Sequence, residues 1–275
     1  MLAYKKLKKI FHKNSIISDI NSILHWDLST IMPEKSRKSR VKQLSFLTEL
    51  KHQILCSSNV NKLFLKVDEN ELSLSDRFNF REMKKEFKYY SSLPEKLVKK
   101  KTLLSTLCEA AWQKAKKKNK FDLVKKELES LIKIVREESK ILSDKYDCSP
   151  YDSLIKNFED SYSSNEIEKL FNKLYPFINS TYDAIVIKQK NEKVIPISRV
   201  LSKSEQLQIS KFFMKKIGFN FKKGRLDQSI HPFCGGGTND IRITTRTNEY
   251  NSFSSFEAVM HETGHALYEQ NLPKK

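Results

Sequence analysis

Glycine is absent from this 275-residue chain before Gly218, and all six glycines lie between Gly218 and Gly264. Glycine supplies the positive φ angles of tight turns, and it weakens the interior of helices and strands. A long stretch without glycine and with few prolines favours helices joined by short connections. We therefore expect residues 1–217 to be a helical region and residues 218–275 to hold a strand and a further helix, within one domain.

Two windows show the helical repeat clearly. In 97–118 and 121–142, apolar residues recur at intervals of three and four, while lysine and glutamate occupy the opposite faces. The polar run 163–166 predicts a capped helix start. Three prolines fall where helical patterns break and predict helix boundaries: Pro94, Pro150 and Pro176.

The composition changes after Gly218. The heptapeptide DIRITTR alternates Ile241 and Ile243 with Asp240, Arg242 and Thr244. This period of two predicts a strand with one packed face and one face that presents charge.

A glycine triplet, Gly235 to Gly237, precedes this strand. It lacks the GK[ST] ending of a phosphate loop and the GxGxxG spacing of a dinucleotide-binding loop. We expect it to be a flexible turn that joins the tripeptide His231-Pro232-Phe233 to the strand.

The formal charge of +18 raises the possibility of nucleic-acid binding, because lysine-rich surfaces bind phosphate backbones. The lysines, however, are spread along the whole chain, and no recognised nucleic-acid module accompanies them. We interpret most of them as solvated helix faces.

Other features point to a soluble protein of a reducing compartment. No apolar run approaches the roughly 20 residues that a membrane-spanning helix needs, and the basic N-terminus lacks the apolar core of a secretory signal. The four cysteines are scattered and form no CxxC pair, so we expect packed thiols. We expect a cytoplasmic location.

The sequence HETGH near the end of the chain has the pattern of a metal-binding helix. Ser254 and Ser255 could cap a helix over 256–268, in which His261 and His265 would lie one turn apart on one face. Two imidazoles at this spacing can bind one metal ion, which activates water, and Glu262 can accept a proton from that water. The pattern predicts metal-assisted hydrolysis with Glu262 as general base.

A catalytic metal site needs a third protein ligand. Glu269 continues the same helix face, but a rise of about 1.5 Å per residue places it roughly 12 Å along the axis from His261. Asp240, Glu249 or His231 could reach the site from the preceding segment, although no spacing requires it. Zinc is the default ion for this ligand chemistry, with cobalt and manganese as alternatives.

These motifs resemble those of the Taq-type thermostable carboxypeptidases, a family of cytoplasmic metallocarboxypeptidases. The resemblance begins at Trp26-Asp27 and Met32-Pro33 and continues around Trp112 and Tyr151-Asp152. Its most specific part is the ordered series HPF, DIRIT and HETGH, which is similar to the family's HPF, DxRxT and HExGH motifs.

The resemblance implies a mainly α, zincin-like fold with a small β-sheet beside the active-site helix. It implies a homodimer that removes single residues from peptide C-termini, with His261 and His265 as metal ligands and Glu262 in proton transfer. His231 and Arg242 fall on motifs of the substrate groove, where an arginine can pair with a carboxylate. Each of these residues also has a purely structural interpretation. His231 could form a hydrogen-bonded turn before Pro232, and Arg242 could form an ion pair with Asp240.

In the family the polypeptide continues into a second helical half, whose HES-type motif contributes the third metal ligand. By this resemblance the 275 residues are the N-terminal portion of one such domain, truncated at the C-terminus. Three interpretations follow. The first is a metallocarboxypeptidase, impaired alone, that works with a separately encoded C-terminal half or uses an atypical ligand set. The others are a noncatalytic remnant and a basic nucleic-acid-binding scaffold.

Overall fold

A computed structural model of the chain describes residues 1–193 and 200–273. The chain divides into two compact units, one formed by residues 1–129 and 199–275 and the other by residues 130–198. The helices are α1 (Leu2–Ser29), α2 (Arg37–Leu55), α3 (Ser58–Phe64), α4 (Leu74–Ser92), α5 (Glu95–Lys118), α6 (Asp122–Tyr146), α7 (Pro150–Ile155), α8 (Ser164–Lys190), α9 (Lys203–Lys216) and α10 (Ser252–Gln270). The strands are β1 (Gly224–Gln228), β2 (Phe233–Gly237) and β3 (Asp240–Thr245).

The predicted fold, mainly helical with a small sheet, is confirmed, and all described strands lie after residue 217. Pro94 precedes α5 as its N-cap residue, and Pro150 occupies the first turn of α7, where a missing N–H costs nothing. The boundary predicted at Pro176 is wrong, because this proline lies inside α8. A proline removes only one backbone hydrogen bond, and strong helix signals on both sides carry the helix through it.

The first unit has an aromatic core at its N-terminal end. Tyr4, Leu7 and Phe11 of α1 lie one turn apart and pack on Phe64 of α3 and Phe80 of α4. The Phe11 and Phe64 rings meet edge to face with centroids 6.1 Å apart. This packing anchors α1, whose C-terminal part reaches the sheet.

The sheet has the order β1-β3-β2, with β3 parallel to β1 and antiparallel to β2. The strand predicted from DIRITTR is therefore confirmed. Ile241 and Ile243 are buried as expected, but so is Thr244, which was expected on the charged face. Its hydroxyl is satisfied there, because it accepts a hydrogen bond from the Phe233 N–H at 3.0 Å and lies 2.8 Å from the Ser229 hydroxyl oxygen.

The turn predicted at Gly235 to Gly237 is wrong, because these glycines form most of β2 and pair with β3. Their role is to allow close packing. The Gly236 N–H donates to the Ser22 hydroxyl of α1 at 2.7 Å, and a Cβ at Gly235 would lie 3.2 Å from the same oxygen. Gly236 also has a φ of +91°, which side-chain-bearing residues rarely adopt.

In the second unit, α8 begins as predicted from the polar run. The Ser163 hydroxyl accepts from the Glu166 N–H, and the Glu166 carboxylate accepts from the Ser163 N–H. The Asp152 carboxylate of α7 also accepts from the Ser164 N–H at 2.7 Å. None of the residues of α8 is buried.

Within the described ranges, no helix is long and apolar enough to cross a membrane. All four cysteines are free thiols.

Candidate metal and peptide site

The helix with the HETGH sequence is α10, which is longer than predicted. Its N-cap is Asn251, whose side chain accepts a hydrogen bond from the Ser254 N–H at 3.1 Å. The predicted caps Ser254 and Ser255 thus lie inside the helix, and Ser255 is buried. Asparagine is as good a cap as serine, so the earlier start satisfies the same backbone groups.

One face of α10 is fixed against the sheet. Val259 and Ala266 are buried with Ile241 and Ile243 of β3 in a second apolar cluster. Thr263 is buried in the same row and donates its hydroxyl hydrogen to the Val259 carbonyl at 2.6 Å. This packing sets the rotation of α10 and leaves its other face open.

His261 and His265 lie together on this open face. Their Nε2 atoms are 3.3 Å apart, and both side chains are exposed. Two imidazole nitrogens on a tetrahedral ion at about 2.0 to 2.1 Å would be separated by about 3.3 to 3.4 Å. The two imidazoles therefore fit one metal ion, and they do so with the spacing that the sequence predicts.

No third ligand joins the two histidines within residues 1–193 and 200–273. Among the residues with described positions, no group of three His, Cys, Asp or Glu side chains could hold a metal ion. This excludes Glu269, Asp240, Glu249 and His231 as third ligands in this arrangement. Asp240 is instead paired with Arg242 on its own strand.

Helix α10, which carries Glu262, contacts β2. Burial raises the pKa of the Cys234 thiol to about 11, and the negative charges of Glu262 and Glu269 contribute to the same rise. Glu262 itself is half-buried and follows the exposed His261 directly on α10.

His231 precedes β2 and lies at a cavity of about 230 Å³. Its ring meets Trp112 edge to face, with centroids 6.4 Å apart, and its carbonyl accepts from the Ser229 hydroxyl at 2.6 Å. The lining of the cavity includes Ser29, Glu109, Trp112, Gln113, His231 and Phe233. An apolar wall with a few polar groups is typical of a small ligand site.

Arg242 forms the ion pair that the sequence offered as its structural alternative. Its Nε and Nη2 atoms donate to the two Asp240 oxygens at 2.6 and 2.8 Å. These two bonds do not use the Nη1 atom, which donates no hydrogen bond to any other described residue. The guanidinium also lies over the Trp26 ring, with Cζ 4.4 Å from the centroid.

Sequence reasoning missed Arg225, which neighbours Arg242 in the parallel register of β1 and β3. Arg225 donates to both oxygens of Asp227 at 2.7 and 2.6 Å, and its Cζ lies 5.1 Å from the Trp26 centroid. The signal was present, since RLD and DIR each place an Arg and an Asp two apart on one strand face. Trp26 thus contacts two arginines, each paired with its own aspartate.

Comparisons with known proteins agree with this geometry. The Carboxypeptidase Taq (M32) metallopeptidase family matches residues 6–275. Carboxypeptidase 1 of Bacillus subtilis is 29% identical over 269 residues, which are 97% of this chain and 52% of the relative. Thermostable carboxypeptidase 1 of Thermus thermophilus is 26% identical, over 99% of this chain and 56% of the relative.

Solved structures are also similar to nearly all of this chain over about half of their own length. Metallocarboxypeptidase 1 of Trypanosoma cruzi is 31% identical with a TM-score of 0.86, over 100% of this chain and 56% of that chain. The BsuCP crystal structure gives a TM-score of 0.92 at 27% identity, with 100% and 55% covered. The chain spans about half the length of the relatives it matches. Fold, motifs and family match agree, and the chain belongs to the Carboxypeptidase Taq (M32) metallopeptidase family.

Proposed function

We propose that this chain supplies two metal ligands and the proton-transfer residue of a metallocarboxypeptidase site, and that a third ligand from outside the described residues completes it. The observation that carries the proposal is the 3.3 Å separation of the His261 and His265 Nε2 atoms. The absence of a third ligand in the described part of the chain supports the need for a complement.

His261 and His265 would hold the ion through Nε2. Zinc is the default, with cobalt and manganese as alternatives. When bound, such an ion makes water a stronger nucleophile and polarises a carbonyl. Glu262 then accepts a proton from the attacking water and delivers it to the leaving amine, a role that a carboxylate next to a ligand on the same helix can perform.

The proposed substrates are peptides with a free C-terminal carboxylate. Arg242 can bind that carboxylate through Nη1, while Asp240 and Trp26 fix the plane of its guanidinium. His231 would contact the peptide from the mouth of the cavity next to Trp112. Homodimerisation, which the family resemblance implies, is part of the same proposal.

A noncatalytic remnant is the second candidate, because two ligands without a third do not make a catalytic site. The two candidates differ in how they respond to a complement. A half-enzyme gains hydrolysis when the missing part is supplied, whereas a remnant stays inactive. The basic composition alone gives no comparable support to a nucleic-acid-binding scaffold.

The test is release of C-terminal amino acids from a peptide set by the zinc- or cobalt-loaded protein. It is run with the chain alone and after co-expression with the C-terminal part of Bacillus subtilis carboxypeptidase 1. That part is chosen because the family resemblance places the third ligand there, and the match with this chain covers 52% of the relative. We expect background rates alone and hydrolysis with the complement.

Glu262→Gln should abolish the hydrolysis, and Glu168→Gln is the control, since Glu168 is an exposed carboxylate on α8. Equal rates for Glu262→Gln and the unaltered protein would contradict the assignment of the base. Background rates in every combination would favour the remnant.

A further inference from the structure

A carboxylate lies in the wall of the cavity beside His231, and neither the sequence motifs nor the proposed mechanism gives it a role. It belongs to Glu109 of α5. The apolar side chains of Trp112, Ile230 and Phe233 line the same space of about 230 Å³. The cavity therefore combines an apolar wall with a single acidic side chain among the described residues that line it.

The two oxygens of the Glu109 carboxylate differ in their contacts. Oε1 accepts hydrogen bonds from the Ser29 hydroxyl at 3.1 Å and from the Gln113 side-chain amide at 3.4 Å. Oε2 accepts none from the part of the chain that the structure describes, and the side chain is only half-buried. The contacts of Oε1 hold the carboxylate in place, and Oε2 remains available to a ligand.

Glu109 also forms no ion pair within residues 1–193 and 200–273, although the chain has a formal charge of +18. Arg37 contacts Gln113 instead, and its Nη2 atom donates to the Gln113 side-chain oxygen at 3.3 Å. The charge of Glu109 acts on His25, but desolvation has the larger effect and lowers the pKa of that imidazole, which leaves it neutral at pH 7. The carboxylate is therefore free to pair with a cationic ligand.

The chemistry of the wall selects the kind of side chain that fits the cavity. An apolar side chain would cover Oε2 of Glu109 without giving it a hydrogen-bond donor, and burying an unpaired carboxylate is costly. A lysine or arginine side chain avoids this cost, because its aliphatic stem can pack on Trp112 and Phe233 while its charged end reaches Glu109. A cation is compatible with the Trp112 ring, since the Lys116 ammonium lies 5.1 Å from its centre without lining the cavity.

We propose that this cavity is a specificity subsite for a lysine or arginine side chain of the peptide, and that Glu109 pairs with its charge. This inference rests on the proposed function, in which His231 contacts the peptide from the mouth of the cavity. Ser29 and Gln113 are positioning residues, because they hold the Glu109 carboxylate through Oε1. All the lining residues belong to the first compact unit, so the chain itself should bind such a side chain without hydrolysing the peptide.

The test measures binding of alanine-based peptides to the full chain without added metal, by isothermal titration calorimetry. Each peptide carries one lysine at one of its last three positions, and its partner peptide carries norleucine there, which has a similar length and no charge. We expect at least one lysine peptide to bind about three- to fivefold more tightly than its norleucine partner, as one partly exposed ion pair would give. Equal affinities at all three positions, or no binding of any lysine peptide, would overturn the proposal.

Variants of Glu109 assign the preference to this carboxylate. Glu109→Gln keeps an oxygen acceptor for Ser29 and Gln113 and removes the charge, so it should abolish the preference for lysine. Glu109→Asp keeps the charge and should retain part of the preference, and Glu129→Gln, which changes an exposed carboxylate on α6, should retain all of it. Thermal unfolding verifies that each variant is folded. A lysine preference that survives unchanged in Glu109→Gln would refute the assignment.

The outcomes separate this subsite from the proposed catalysis. Equal binding of the lysine and norleucine peptides would remove the subsite and leave the roles of His261, His265 and Glu262 as proposed. A lysine preference that depends on Glu109, together with no hydrolysis after co-expression with the complement, would retain the subsite and refute the proposed catalytic function.

Discussion

The Arg242 guanidinium carbon lies 4.4 Å from the centre of the Trp26 ring, so that helix α1 and strand β3 are joined by a cation–π contact. Arg225 contacts the same ring at 5.1 Å. Trp26 is only 4% exposed, and its Nε1 atom has no hydrogen-bond partner among the described residues. Its contribution therefore comes from ring packing and from the two guanidinium groups.

Trp26→Ala should lower the free energy of unfolding by about 3 to 5 kcal/mol, the usual cost of removing a large buried aromatic side chain. Trp26→Phe should cost less, because it retains a ring and loses no hydrogen bond that the described residues make. Urea denaturation of both variants checks this order. An alanine variant as stable as the phenylalanine variant would mean that the ring does not hold α1 to the sheet.

Two glycines should respond to alanine with opposite signs. At Gly236, a Cβ would clash with the Asp240 carbonyl oxygen and φ is +91°, so we expect strong destabilisation, by more than about 1 kcal/mol. At Gly264, inside α10, a Cβ meets nothing within 4 Å, so Ala should stabilise by about 0.5 to 1 kcal/mol. Thermal unfolding of the two variants, compared with the unaltered chain, measures both signs.

The sequence predicted most of the fold because the helix signals are local. Glycine content, apolar periodicity and the Ser163 to Glu166 capping pair act within a few residues and needed no tertiary information. Pro176 and the glycine triplet were predicted wrongly for the opposite reason. The helix tolerates Pro176, and β2 packs closely because Ser22, on the first helix of the chain, contacts Gly235 and Gly236.

The candidate site also combines features that local sequence predicts with features that depend on tertiary contacts. The spacing of His261 and His265 is set by one helix and was predictable. The contact of Trp26 with Arg225 and Arg242 joins three distant segments, so pattern alone could not locate it. The alternation of Arg and Asp on both strands could have predicted the ion pairs, but not the ring between them.

Metal binding should depend on both histidines. His261→Ala and His265→Ala should each lower the affinity for Zn²⁺ at least about tenfold, equal to about 1.4 kcal/mol, because each removes one of two ligands. His12→Ala is the control, since His12 is exposed on α1. Isothermal titration calorimetry of the chain alone measures the effect, and a loss for His12→Ala equal to the others would show that binding is nonspecific.

Tyr4 should make stability depend on alkaline pH. Its hydroxyl donates to the Asp76 carboxylate at 2.8 Å, and burial followed by this hydrogen bond raises the pKa of Tyr4 to about 12. A phenol whose pKa is higher in the folded state contributes stability that is complete below its unfolded value of about 10 and is lost as pH rises through about 12.

Tyr4→Phe should therefore destabilise the protein at pH 8 by about 0.5 to 1.5 kcal/mol, the net value of a typical hydrogen bond. Between pH 10 and 12 the variant should lose less stability than the unaltered chain, because it has no phenol to ionise at this position. Tyr175→Phe is the matched control, since Tyr175 is exposed on α8 and its removal should change neither quantity. Urea denaturation at pH 8 and pH 11 measures both effects, and equal pH slopes for Tyr4→Phe and the unaltered chain would refute the assignment.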